Sequence, residues 1–293
     1  MKKSIALKID VDTYRGTQSG VPALIELLQR SEAQGTFFFS LGSDQSGREP
    51  RSSSLKRYYD LRTRLKGRLL PGPDIGSRSK DVLRQTQQAG FEVGIHAWNR
   101  VQWEQNIHRA DNPWVEGEMC QACLRFADIF PDTPKAHAAA GWIMNRHALR
   151  LTQRLDFSYA SDCRGTHPFI PVIDGEIVAC PQLPTTLPTL DEMLAQDAGL
   201  TPELAVDRIL ERSIETDGDH VFTLRAELEG MKFTAAFERL LVNWKNQGIA
   251  LVSLRDIRAS LDLKNLPRHV VKFSEIAGRP GLRMTQGPVF LGE

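Results

Sequence analysis

Residues 5 to 13 read IALKIDVDT, from Ile5 to Thr13, and the rest of the chain is organised around this stretch. Ile5, Leu7 and Ile9 alternate with Ala6 and Lys8, which is the period of a strand, and the strand ends by presenting Asp10 and Asp12 one residue apart. In parallel α/β architectures the C-terminal strand ends carry the chemistry, because the loops leaving them converge on one mouth. The plain structural alternative is a pair of turn-forming or helix-capping aspartates ahead of Gly16 and Gly20.

Outward from that strand the chain alternates. Val21, Leu24, Leu27 and Leu28 recur at helical spacing within residues 21 to 33, and Gly35 precedes the apolar strand Thr36 to Ser40. A helix closing over Gln85 to Ala89 leads into a strand from Phe91 to Ile95 that delivers His96. Further strands are expected at Lys135 to Ala140, Phe157 to Ser161, Ile177 to Cys180, Val221 to Arg225 and Ile249 to Leu254. Strands alternating with helices at this spacing predict an α/β fold with a mostly parallel sheet. Seven or eight of them in about 260 residues favour a barrel over an open sheet.

Composition bounds the function. The 293 residues are 41% hydrophobic and 25% charged with a formal charge of +1, which fits a globular protein with no general attraction to polyanions and argues against nucleic acid as a partner. No apolar run approaches a membrane span and no leader pattern precedes Asp10, so a cytoplasmic location is expected. Cys120 and Cys123 form a CxxC on an amphipathic helical pattern with Met119, Phe126 and Phe130. No second pair completes a zinc set, so these and Cys163 and Cys180 are read as buried core thiols.

Two regions break the rhythm. From about 43 to 80 runs an insertion in which Arg48, Arg51, Lys56, Arg57, Arg62, Arg64, Lys66 and Arg68 face only Glu49 and Asp60 up to residue 68. Leu55, Tyr58, Tyr59, Leu61, Leu65, Leu69 and Leu70 are interleaved with these charges. That mixture suits an anionic membrane surface; a solvated loop with one buried face is the bland alternative. The stretch 263–293, rich in Pro and Gly, reads as an extended C-terminal appendage to a barrel spanning 1–262.

The blocks IDVDT at 9–13, GIHAW at 94–98, AAAGW at 138–142, SDCRG at 161–165, LPTTLPTLDE at 183–192 and AELEG at 226–230 resemble the polysaccharide deacetylase family, in the right order. Within it the chain is most similar to the deformylases acting on undecaprenyl-phosphate-linked 4-deoxy-4-formamido-L-arabinose. The resemblance implies a distorted (β/α) barrel of about seven strands. It also implies a cytoplasmic enzyme at the inner membrane, in the lipid A modification that gives polymyxin resistance, acting on a lipid-linked amino sugar. It further implies a divalent metal (zinc, cobalt or manganese). Asp10 then matches the base, Asp12 the metal carboxylate, His96 the first metal histidine and Arg164 the site arginine, with Asp162 beside them.

Two positions depart from that pattern. HAWNR places Arg100 where the second metal histidine should stand, four residues after His96, and LRAE places Arg225 where the general-acid histidine should stand. A guanidinium has no acceptor lone pair for a cation and stays protonated near neutral pH. His108, twelve residues after His96, is rotated by roughly 120° on an ideal helix and would need a non-helical path to substitute. The arginines are expected to supply the positive charge otherwise lost, Arg100 pairing with Asp10 or Asp12 and Arg225 with Asp162, while Arg164 pairs with Asp10 or lies at the surface. In the alternative both arginines point into solvent.

Trp98, Trp103 and Trp142 either stack on a sugar or form barrel-mouth core, and core is favoured. Glu227 and Glu229 either bind sugar hydroxyls or cap the next helix. His137, His147, His167 and His220 have no motif support. Three functions remain open: a working deformylase with an atypical ligand set, a catalytically impaired relative that binds the lipid-linked sugar and has no metal, and a membrane-surface interaction protein.

Overall fold

The computed structural model describes residues 3–50 and 54–291; Arg51 of the basic insertion lies outside them. The strands are β1 (Ser4–Val11), β2 (Thr36–Ser40), β3 (Glu92–Ala97), β4 (Ala136–His137), β5 (Tyr159–Ala160), β6 (Ile170–Ile173), β7 (Glu176–Ile177), β8 (His220–Arg225), β9 (Ala250–Val252), β10 (Arg268–Ile276) and β11 (Arg279–Val289). β1 is the hub. It pairs in parallel with β2, Asp10 opposite Phe38, and with β8, Asp10 opposite Arg225, while its first residues pair with β9. The sheet order β5-β4-β3-β2-β1-β8, with β9 beside β1, curls into the expected distorted barrel.

Among the described residues no strand joins β5 to β8. The gap is spanned by an extended segment, in which Leu183 N–H donates to Ala160 O (2.8 Å) and Thr186 N–H donates to Val221 O (3.1 Å). Residues 183–187 thus seal the barrel wall. The expected strand from Ile177 to Cys180 is not part of it: β7 is a two-residue antiparallel partner of β6 in a separate sheet.

The alternation in β1 separates two interiors instead of core from solvent. Ile5, Leu7 and Ile9 pack outward with Leu24, Leu27 and Leu28 of the helix Val21–Arg30, while Ala6 and Phe38 face inward with Ala136 and Tyr159. Lys8, on that inward side, is therefore fully buried. It is accommodated because its Nζ lies 3.5 Å from Asp10, donates to Ser161 O (3.1 Å) and sits over the rings of Phe38 and Trp142.

The helix Asn112–Ile129 forms as expected, begun by Asp111, whose carboxylate accepts from Trp114 N–H. The thiol expectation fails in part: Cys163 and Cys180 are buried, but Cys120 is exposed and Cys123 half-buried, because the apolar stripe of this helix runs through Val115, Met119, Ala122 and Phe126. The C-terminal stretch is a hairpin, β10 against β11, and β10 adds in parallel to β6. β11 also runs beside the SDCRG block, with Arg164 N–H donating to Met284 O (3.0 Å). Gly278 turns the hairpin at φ 80°, and a Cβ there would lie 2.4 Å from Glu192 O, so only glycine lets the hairpin tip approach this closely.

Candidate functional site

Strand ends bring the predicted residues together. Asp10 and Asp12 leave β1, His96 is carried by β3, and Arg225 is the last residue of β8. Arg100 opens the helix Arg100–Asn106, whose start is fixed by Asn99 accepting from Gln102 N–H (3.1 Å).

Asp12 is the centre. Its Oδ1 lies 3.1 Å from His96 Nε2 and 3.5 Å from Arg100 Nε, and its Oδ2 accepts from Arg225 Nη1. Arg100 also pairs with Glu49 and, through Nη1, with Glu104 Oε1 (2.8 Å). Arg225 Nε lies 3.9 Å from Asp191 Oδ2. Burial alone would raise the Asp12 carboxyl, but Arg100 and Arg225 outweigh it and hold the group far below the usual carboxylate range. Burial likewise opposes charging of His96, yet Asp10 and Asp12 win and raise its pKa.

A divalent cation does not fit this arrangement. Both oxygens of Asp12 are engaged by guanidinium groups, one from each position where the resemblance calls for histidine. Among the described residues no group of three or more His, Cys, Asp or Glu side chains could hold a metal ion. His108 does not rescue the set, because it lies beyond the helix end and is exposed, whereas His96 is buried.

Several expected partners are different. Arg225 pairs with Asp12 and Asp191 rather than Asp162. Asp162 is held instead by His137 Nδ1 (2.7 Å), Ala139 N–H (2.7 Å) and Gln182 Nε2 (3.1 Å), which gives buried His137 a structural task. Arg164 reaches Leu187 O (2.5 Å) and approaches Glu192 at 3.7 Å, leaving Asp10 to Lys8 and to His96 at 3.8 Å. Trp98 lies outside the cavity, under the guanidinium of Arg125. Trp142 is buried core, as favoured, and Lys8, Arg164 and Arg279 all stand over its ring within 5.0–5.6 Å.

Glu227 and Glu229 face neither solvent nor the cavity beside Arg100. Glu227 Oε1 accepts from the N–H groups of Asp12 (2.9 Å) and Thr13 (2.7 Å), and so fixes the loop that aims Asp12. Glu229 Oε2 accepts from Arg225 N–H (2.8 Å). Burial pushes Glu227 up to about 7 and Glu229 up to about 8.

A carboxyl with a raised folded pKa binds its proton more tightly in the folded chain, so its contribution is full below 4.5 and is lost as pH rises through about 8. Thermal stability is therefore expected to decline between about pH 4.5 and 8, and Glu229→Gln to flatten that decline. An unchanged pH slope in the variant would show that Glu229 is ionised throughout.

Sequence reasoning missed Glu49, Glu104, Asp191, Glu192, Arg279 and Arg283. Asp191 and Glu192 had a signal, since they end the LPTTLPTLDE block and open the helix Leu190–Gln196. Arg279 binds both, 2.9 Å from Asp191 and 3.2 Å from Glu192, and comes from the hairpin, which no local pattern connected to the site.

A curled parallel barrel with aspartates at its β1 terminus and a histidine on β3 is the arrangement the sequence resemblance implies, and the comparisons agree on the family. The polysaccharide deacetylase family model matches residues 1–160, and the chain belongs to that family. It is 32% identical, over 94% of its length and 92% of the relative's, to a protein of Shewanella sediminis named "Probable 4-deoxy-4-formamido-L-arabinose-phosphoundecaprenol deformylase ArnD". A Wigglesworthia glossinidia brevipalpis protein of the same name is 29% identical over 91% of this chain and 96% of its own. A match over 94% of the chain necessarily runs past residue 262, so part of the hairpin is shared with this relative. A solved structure from Mycobacterium smegmatis, named as a polysaccharide deacetylase, superposes with a TM-score of 0.67 at 16% identity, covering 94% of this chain and 96% of that one.

Proposed function

We propose that this chain binds a lipid-linked formamido-pentose in the deacetylase-type cleft without hydrolysing its amide. The observation that carries this reading is the double guanidinium clasp on Asp12. Amide hydrolysis needs a polarised carbonyl, a deprotonated water and an acid for the leaving amine. Arg100 cannot ligate a metal that would supply the first two, and Arg225 cannot release a proton. Both can still donate hydrogen bonds to a formyl oxygen. The substrate class rests on the names of the two relatives, which cover nearly the whole chain.

The test is equilibrium binding of the lipid-linked formamido sugar, with formate measured in the same sample. Saturable binding with no formate above the buffer rate is expected. Formate release at a catalytic rate would make the chain a working deformylase with an unusual ligand set.

The insertion supports peripheral attachment to the inner face of the cytoplasmic membrane as part of the same reading. Leu55 and Tyr59 are buried, whereas Leu61, Leu69 and Leu70 are exposed among exposed Arg57, Arg62, Arg64 and Arg68. No helix of the described residues is long and apolar enough to cross a membrane. Each exposed cation near an anionic surface contributes on the order of 1 kcal/mol. Binding to vesicles containing anionic lipid is expected, with loss at high salt as exposed charges are screened. Binding that is absent, or indifferent to salt, would return the insertion to a solvated loop. In this reading residues 1–262 form the barrel unit, and the 263–293 extension adds a wall to its cleft.

A further inference from the structure

The cleft next to Asp12 is a cavity of about 290 Å³ whose wall includes Arg100, Arg225, Arg279 and Arg283. Three of these guanidiniums are spoken for. Arg100 has Asp12, Glu49 and Glu104; Arg225 has Asp12 and Asp191; Arg279 has Asp191 and Glu192.

Arg283, on β11, is different. It is only 9% exposed, and among the described residues no carboxylate lies within 4.0 Å of it. Its Nη2 donates to Pro280 O (2.6 Å) in its own hairpin, and its Nε is buried without any hydrogen-bond partner. Burial lowers its pKa; Glu104 offsets this in part, while Arg279 and Arg225 repel it. His108, exposed at the cavity edge, is kept toward the neutral form by partial desolvation there and by Arg283 itself. A buried guanidinium left unpaired is a standing cost unless an anion completes it.

We propose that Arg283 is the receptor for a phosphate group, with Arg279 and His108 lining the same pocket, so that the cleft reads the phosphate of a sugar phosphate separately from its acyl amide. A guanidinium fork matches tetrahedral phosphate oxygens, and charge-assisted bonds to phosphate are among the stronger ones. This assignment rests on the sugar-binding reading of the cleft and adds the group that anchors the ligand. Arg283 acts on affinity and selectivity and takes no part in bond breaking.

The test titrates the full-length protein with inorganic phosphate, with a pentose 1-phosphate, with a neutral formamido-pentose glycoside, and with neutral-lipid vesicles with and without a polyprenyl phosphate. Wild type is expected to bind all the phosphate-bearing probes, with affinity falling as salt rises. Arg283→Gln should weaken phosphate and sugar-phosphate binding by at least about 10-fold, Arg283→Lys should recover part of it, and the neutral glycoside should bind the variants and wild type alike. Because Gln removes an unpaired buried charge, Arg283→Gln should melt no lower than wild type in phosphate-free buffer. A lower melting point would mean that Arg283 is structural, and equal phosphate affinity in Gln variant and wild type would overturn the assignment.

Preference for the polyprenyl phosphate over inorganic phosphate identifies a lipid headgroup as the source; the reverse identifies a free phosphate ester. Failure of the wild type to bind the neutral glycoside would instead overturn the sugar-binding reading, and formate release would overturn only its non-hydrolytic part, either one leaving the phosphate result to stand by itself.

Discussion

Replacing Arg100 and Arg225 together by histidine is expected to create a metal site where the wild type has an ion-pair cluster. Two guanidiniums leave and one dication can enter, so Asp12, Glu49, Glu104 and Asp191 keep the same total compensation. The double variant would place two imidazoles and Asp12 at one point, with His96 already 3.1 Å from Asp12. Affinity for zinc, cobalt or manganese should rise by roughly 100-fold or more over wild type, and formate release from a formamido sugar should appear. Arg100→His alone supplies a ligand but leaves Arg225 on Asp12. Arg225→His alone supplies an acid but leaves Arg100 there. Neither single change should match the pair, since the two act on one centre. A double variant that folds and still takes up no metal would show that something beyond the arginines excludes the ion.

Asp12→Asn is the second large effect, and here the direction is diagnostic. In this chain Asp12 compensates two buried guanidiniums, so neutralising it should cost about 3–5 kcal/mol, the usual penalty for stranding a buried charge. At this chain length that lowers the melting temperature by on the order of 10 °C. In a vacant metal site the same change would relieve repulsion among carboxylates and leave stability unchanged or higher. A melting point at or above wild type in chelator-treated buffer would therefore contradict the cluster. Because the folded-state pKa of Asp12 is depressed, its contribution is present above 3.8 and is lost as pH falls below that value.

What could be read in the sequence was local. IALKIDVDT announced a strand ending in carboxylates, and the strand-helix alternation announced the barrel, because both are short-range patterns in a chain buried on both sheet faces. Arg100 and Arg225 stood out because each occupies a position at which a family motif names another residue. Their partners were harder. Asp191 reaches Arg225 across the sealed gap between β5 and β8, and Glu49 reaches Arg100 from the insertion, so neither pairing has a sequence spacing to betray it. The burial of Lys8 could not be read from the pattern, because a period of two says which residues share a face, not whether that face meets water. The hairpin was read as an appendage because Pro280, Gly278 and Gly281 are loop-like in composition, whereas in the structure they shape a tip that inserts Arg279 between Asp191 and Trp142.

Metal content tests most directly whether guanidinium stands in place of metal at Asp12. The purified full-length protein is incubated with zinc, cobalt or manganese, dialysed against metal-free buffer and analysed for bound metal per chain. Far less than one equivalent of any of the three is expected. One tightly held equivalent, lost on Asp12→Asn, would contradict the guanidinium clasp.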